Sequence, residues 1–235
     1  MRKTARKLLP NFLKLQIKIW QRYFDERKNP FVYSSIFSEN LIGEFKTELK
    51  QTIRKGEFRE NKIHNLKIVA EKINHLIIQP DEVFSFWKTV GKPDLKNNFR
   101  QGRNLIQNKI SNDFGGGICQ FSSVIYFLAL QSGLKIIERH SHSIDIYRED
   151  ERFTPLGSDS TVAFGYKDLR IQNIFSFPVQ FDTVVTEDEL ILNIISHKKI
   201  DLQKISFNYT DCEKGVWVET ILNGESLLKN FYIRL

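Results

Sequence analysis

Gly115-Gly116-Gly117-Ile118-Cys119-Gln120-Phe121-Ser122-Ser123-Val124-Ile125-Tyr126-Phe127-Leu128-Ala129-Leu130-Gln131 is a glycine turn that runs into an apolar helix. Beyond Phe121 the apolar residues fall on nearly every side of a helical projection, which predicts a buried helix. Ser122 and Ser123 flank Cys119 and leave a small polar opening at the N-terminal end. Glycines allow the backbone to approach a bound group closely, and a helix N-terminus favours thiolate over thiol. Cys119 therefore stands where a reactive sulfur would be made.

After the helix, Ser132-Gly133 reads as a short turn and Leu134 onward as a returning strand. From Cys119 to Gln131 the helix climbs roughly 18 Å. The strand has come back roughly 20 Å at His140 and roughly 26 Å at His142. Either imidazole is level with the cysteine, and both share one strand face, so spacing leaves them as alternatives. Cysteine with histidine is the minimal kit for thiol nucleophilic catalysis. A third, orienting group is expected at Asp159. A hairpin turn at Asp150-Glu151 sets His142 opposite Asp159, with Cβ atoms ~4.5–5.5 Å apart. A rival turn near Phe153 to Pro155 would carry Asp159 away, and the first register is the one favoured.

Backbone amides between Gly117 and Gln120, with the Gln120 side chain, would supply oxyanion donors. Two other readings of the same residues stay open. Gly115, Gly116 and Gly117 with the helix start could form a nest for a carboxylate or phosphate, Cys119 being merely small enough to fit. His140, His142 and Cys119 could also form a Cys/His₂ metal set, but no fourth ligand can be placed, so no metal and no cofactor is assigned.

The 235 residues are enough to bury a large core, and 19 Phe mark a globular composition. The net charge of +7 is localised. Residues 1–28 hold nine Lys/Arg against Asp25 and Glu26, and the remainder is balanced at 26 of each sign. No basic stripe follows residue 28, which argues against nucleic acid as a partner. Leu9, Phe12, Leu13, Ile17, Trp20 and Phe24 form one stripe of a basic amphipathic helix. Such a helix could dock on the domain or make peripheral contact with a membrane through residues 9–24, and Leu15 and Ile19 spoil a clean two-faced split. Lys14 and Lys18 interrupt any signal-peptide core, and no stretch approaches the ~20 apolar residues of a membrane span. The expected location is cytoplasmic, extending to the inner membrane surface. Cys119 and Cys212 make no disulfide framework, and Cys212 lies in a polar turn.

Ser38 to Gly56 reads as weakly helical, and 61–76 as a clear amphipathic helix with Ile63, Leu66, Val69, Ala70, Ile73 and Leu76 inward. Val83 to Trp87 reads as a strand or a short buried segment, and Phe99 to Ile110 as a hairpin. Alternating stretches over 161–166, 169–173, 179–185, 190–196, 204–209 and 216–222 make the second half mainly strand. The fold class is α+β: early helices, one central buried helix carrying Cys119 at its start, and a mainly antiparallel sheet. The chain divides into a helical segment over 1–60, a core over 61–180 and a β extension over 181–235.

Asn65-Leu66-Lys67-Ile68, Pro80, Phe84-Ser85-Phe86-Trp87 with Val90-Gly91, G-G-G-I-C-Q at 115–120, E-R-H-S-H-S at 138–143, Asp159-Ser160-Thr161-Val162 and Asp168-Leu169-Arg170 together resemble the VanW family, in its order. His75 and Asp81 stand where many members of the family have turn glycines. The resemblance implies a bacterial protein linked to the cell envelope or glycopeptide resistance, and so a peptide or peptidoglycan-related substrate. It brings no reaction with it. In layout alone, Cys119, His142 and Asp159 are similar to transglutaminase-like and papain-type thiol enzymes, although the cysteine-to-histidine spacing is shorter here. Oligomeric state is not legible.

Overall fold

Period-two alternation builds the central sheet, which the computed structural model shows with the rest of residues 9–28, 30–106, 109–145 and 154–234. Its five strands are β1 (Ile36–Phe37), β2 (Phe45–Thr52), β3 (Leu76–Ile78), β10 (Val179–Val185) and β11 (Glu189–Ser196), in the order β1-β3-β10-β11-β2. Every neighbouring pair is antiparallel. The sheet thus draws strands from residues 36–52, 76–78 and 179–196 alike. Helix α2 (Arg59–Ile73) lays Ile63, Leu66, Val69 and Ile73 into one core with Phe121, Val124, Ile125 and Leu128 of helix α4 (Ile118–Gln131). Helix α4 is buried on nearly all sides, as its composition predicts.

Residues 38–56 are not helical as expected; β2 occupies 45–52. Lys46, Glu48 and Lys50 pair at 3.2 and 3.3 Å, a two-residue spacing that shares a face on a strand and not on a helix. Good helix formers were outweighed by the exposed edge of β11, whose eight residues all pair with β2.

Three smaller sheets surround this layer. Strands β4 (Val83–Ser85), β9 (Arg170–Gln172) and β7 (Lys135–Glu138) form one, in that order. Strands β5 (Gln101–Ile106) and β6 (Lys109–Phe114) form the hairpin before the glycines. Strands β12 (Ile205–Cys212), β13 (Gly215–Leu222), β14 (Glu225–Arg234) and β8 (Ile144–Asp145) form the last, with β8 parallel to β14. Strand β14 lies beyond the alternating stretches of the sequence, and residues 161–166, expected as a strand, form a turn closed by an Ala163–Lys167 bridge. Cys212 ends β12 opposite Gly215 and is exposed. Two further helices complete the set: α1 (Asn11–Lys28), and α3 (Phe86–Val90), which Ser85 caps by accepting from the Lys88 amide.

Several of the sequence motifs work as clasps. Asp168 accepts from the Ser85 hydroxyl at 2.6 Å and the Trp87 amide at 3.1 Å, and so ties α3 to the start of β9. Asn65 donates to the carbonyls of Arg100 and Gly116 and accepts from the Arg100 amide, which pins the glycine turn to α2. His75 and Asp81 both adopt left-handed backbone, with φ of 64° at each.

Candidate active site

Helix α4 begins where the glycines permit it. Gly117 caps it at φ 94°, and a Cβ on Gly116 would lie 2.3 Å from the Gly102 carbonyl carbon, so β5 passes directly against the turn. Cys119 is then half-buried in the first helical turn. Its sulfur lies 3.5 Å from the Thr161 hydroxyl and 3.8 Å from the Val162 carbonyl. Ser122 and Ser123 both donate to the carbonyls of Cys119 and Ser160, and the Ser160 amide donates back to Ser123. These bonds stitch 160–162 to the head of α4.

The returning strand ends earlier than expected. β7 stops at Glu138, and 139–143 is irregular, because side chains rather than a ladder take up this segment. The Thr161 amide donates to the His140 carbonyl at 2.8 Å, the contact implied by the register that sets His142 opposite Asp159. The proposed turn itself lies outside the described residues. His142 Nδ1 meets Asp159 Oδ2 at 2.7 Å, and the His142 amide donates to the same oxygen at 2.7 Å. The imidazole acts on the Cys119 thiol from nearby, beside the contacts of the sulfur with the Thr161 hydroxyl and the Val162 carbonyl. His140 turns away. Its Nε2 lies 3.0 Å from Glu138 Oε1, and the side chain is 37 % exposed.

Asp159 is braced by residues that the sequence reading did not single out. The Arg139 side chain is 4 % exposed and reaches Asp159 Oδ1 at 3.0 Å, while its Nε donates to the Asp159 carbonyl. The Tyr232 hydroxyl of β14 donates to Oδ1 at 2.5 Å, and Asn230 accepts from Arg139. The Arg139 guanidinium also lies over the Tyr126 ring, 4.9 Å from its centroid. Arg139 was visible inside the E-R-H-S-H-S run and Thr161 inside D-S-T-V. Tyr232 and Asn230 carried no local signal.

Electrostatics follow from these contacts. Burial would push the Asp159 carboxyl up, but His142 and Arg139 hold it well below the usual carboxylate range. Burial would lower His142, but Asp159 and Cys119 carry it to about 10. Burial would raise Cys119, yet the hydrogen bond and charge of His142 bring the thiol below its ordinary value. The arrangement favours a thiolate beside an imidazolium.

The surrounding donors are partly committed. Amides of Gly115, Ile118 and Gln120 already bond backbone carbonyls, which leaves little of a nest. Gln120 Nε2 donates to the Thr52 carbonyl at 2.9 Å rather than being held for the sulfur. The Cys119 amide has no acceptor among the described residues. Among those residues no three His, Cys, Asp or Glu side chains are grouped to hold a metal ion.

A buried helix that delivers a cysteine to a histidine and a carboxylate defines an α+β protein with a thiol-centred site. The family model described as VanW like protein matches residues 61–195, which include Cys119, His140, His142 and Asp159, and the chain belongs to that family. It is 30 % identical over 142 residues to the vancomycin B-type resistance protein VanW of Enterococcus faecalis, covering 60 % of this chain and 52 % of that protein. It is 28 % identical over 177 residues to the uncharacterized protein YoaR of Bacillus subtilis, covering 74 % and 57 %. The chain spans about half the length of the curated relatives it matches. No solved structure matches it significantly.

Proposed function

We propose that this VanW-like protein is a thiol-dependent amidase, peptidase or acyltransferase acting on a peptide or peptidoglycan-related substrate. The observation that carries the reading is the hydrogen-bonded path from Arg139 and Tyr232 through Asp159 to His142, whose charge lowers the Cys119 thiol.

The Cys119 thiolate attacks the substrate carbonyl carbon, and the electron pair displaced from the C=O bond rests on oxygen beside the Cys119 amide. As that tetrahedral centre collapses, the C–N bond breaks and the His142 imidazolium gives its proton to the leaving amine. Water or a second amine, deprotonated by the now neutral His142, attacks the thioester and releases the thiolate. Asp159 holds His142 in the tautomer and orientation both steps need. His140, paired with Glu138, takes no part.

The test is iodoacetamide alkylation of Cys119 across pH, followed by incubation with muropeptides. Fast alkylation persisting below pH ~7, and cleavage or amine exchange lost in Cys119→Ala, are expected. An ordinary thiol titration near ~8.5, or turnover unchanged in Cys119→Ala, overturns the reading.

A further inference from the structure

Helix α1 carries two apolar faces, and the structure uses only one of them. Leu15, Ile19, Arg22 and Glu26 follow one another at steps of four, three and four residues and so share a side. That side is docked. A Cβ on Gly165 would come 2.5 Å from Leu15 and 3.2 Å from Ile19. Arg22 forms a two-pronged pair with Glu138 at 2.6 and 3.0 Å, and Glu26 pairs with Arg170 and, at 3.0 Å, with Lys88. Leu15 and Ile19, the residues that blurred the amphipathic pattern, are thus the ones that hold α1 to the domain.

Most of the stripe that made the helix look amphipathic faces outward, with Leu9 and Ile17 half-buried at its edge. Phe12 is 65 %, Trp20 61 % and Phe24 51 % exposed, with Leu13 and Tyr23 beside them. Trp20 and Phe24 rings lie 6.0 Å apart, and Arg27 covers Tyr23 at 4.8 Å. No residue of α1 is fully buried. The surface is aromatic rather than aliphatic and adjoins Arg27 and Lys28. It is preceded in sequence by Arg2, Lys3, Arg6 and Lys7, so that the chain's whole net charge of +7 lies within residues 1–28.

We propose that this outer face of α1 binds the headgroup layer of an anionic membrane, with the helix lying flat on the lipid. Tryptophan and tyrosine favour the boundary between headgroup and acyl chain, and lysine and arginine beside them draw the helix to negative lipid. No helix among the described residues is long and apolar enough to cross a membrane, so the contact is a surface one. On the docked side, the Arg22–Glu138 pair ties the helix to the residue next to Arg139, so a helix lying on lipid sets how the cysteine site is presented.

The test is flotation of the full chain with vesicles of equimolar phosphatidylglycerol and phosphatidylcholine, against phosphatidylcholine alone. Binding to the anionic vesicles is expected, with release near ~1 M salt, where the screening length falls to ~3 Å. A Trp20→Ser/Phe24→Ser double variant should bind roughly tenfold more weakly while its Cys119 alkylation rate stays unchanged. An Arg27→Glu/Lys28→Glu variant, which touches no docked residue, should also lose binding. Absence of binding, equal binding to neutral vesicles, or both variants binding like the parent overturns the proposal. So does self-association that the first variant abolishes without any vesicle binding, which would assign the face to a second copy.

Discussion

His142→Asn removes the strongest influence that lowers the Cys119 thiol and leaves only Val162 and Thr161 against burial. Alkylation near pH ~6.5 should slow by roughly tenfold to a hundredfold, whereas His140→Gln should leave the rate unchanged. Asp159→Asn strands the Arg139 guanidinium, which is almost wholly enclosed, without its counter-charge. That change should cost about 3 kcal/mol in urea unfolding. His75 and Asp81 hold φ of 64°, a left-handed conformation that glycine adopts without strain. An L-residue pays for that conformation, so Asp81→Gly should stabilise by about 1 kcal/mol, read from the same unfolding curves.

At the scale of elements, the glycine turn leaves little room for change. Gly116→Ala puts a methyl 2.3–2.4 Å from the Gly102 backbone and must part β5 from the head of α4. We expect a loss of about 3 kcal/mol and slower alkylation of Cys119. The helix after this turn was legible because its composition leaves it no solvent face, and the strands β10, β11 and β13 because they alternate. β2 was misread since Lys, Glu and Leu favour a helix in isolation, and only the free edge of β11 decides otherwise. The partnership of His142 with Asp159 could be framed from a hairpin register, but the choice between His140 and His142 could not. Glu138 holds His140 away, and that contact depends on where β7 ends.

Across the whole molecule, charge pairs make stability depend on pH in two opposite senses. Glu138 is held at about 2 by His140 and Arg22 against the opposing effect of burial. Its contribution is complete above its ordinary value of 4.5 and is lost as pH falls toward 2. His142 is raised from 6.5 to about 10, so its contribution is complete below 6.5 and drains as pH rises through about 10. Thermal unfolding midpoints should therefore peak between these limits, and His142→Asn should flatten the alkaline limb and also soften the acid limb through Asp159, which His142 helps to hold low. Tyr232 and Asn230 could not be foreseen at the site, since they arrive from a separate sheet far along the chain.

That distance has a consequence in time. Asp159 waits 73 residues for Tyr232, and Arg139 waits 91 for Asn230. During synthesis the sulfur, the imidazole and the carboxylate leave the ribosome long before β14 can lock them. The nascent polypeptide thus carries Asp159 and Arg139 unlocked until translation has passed β14.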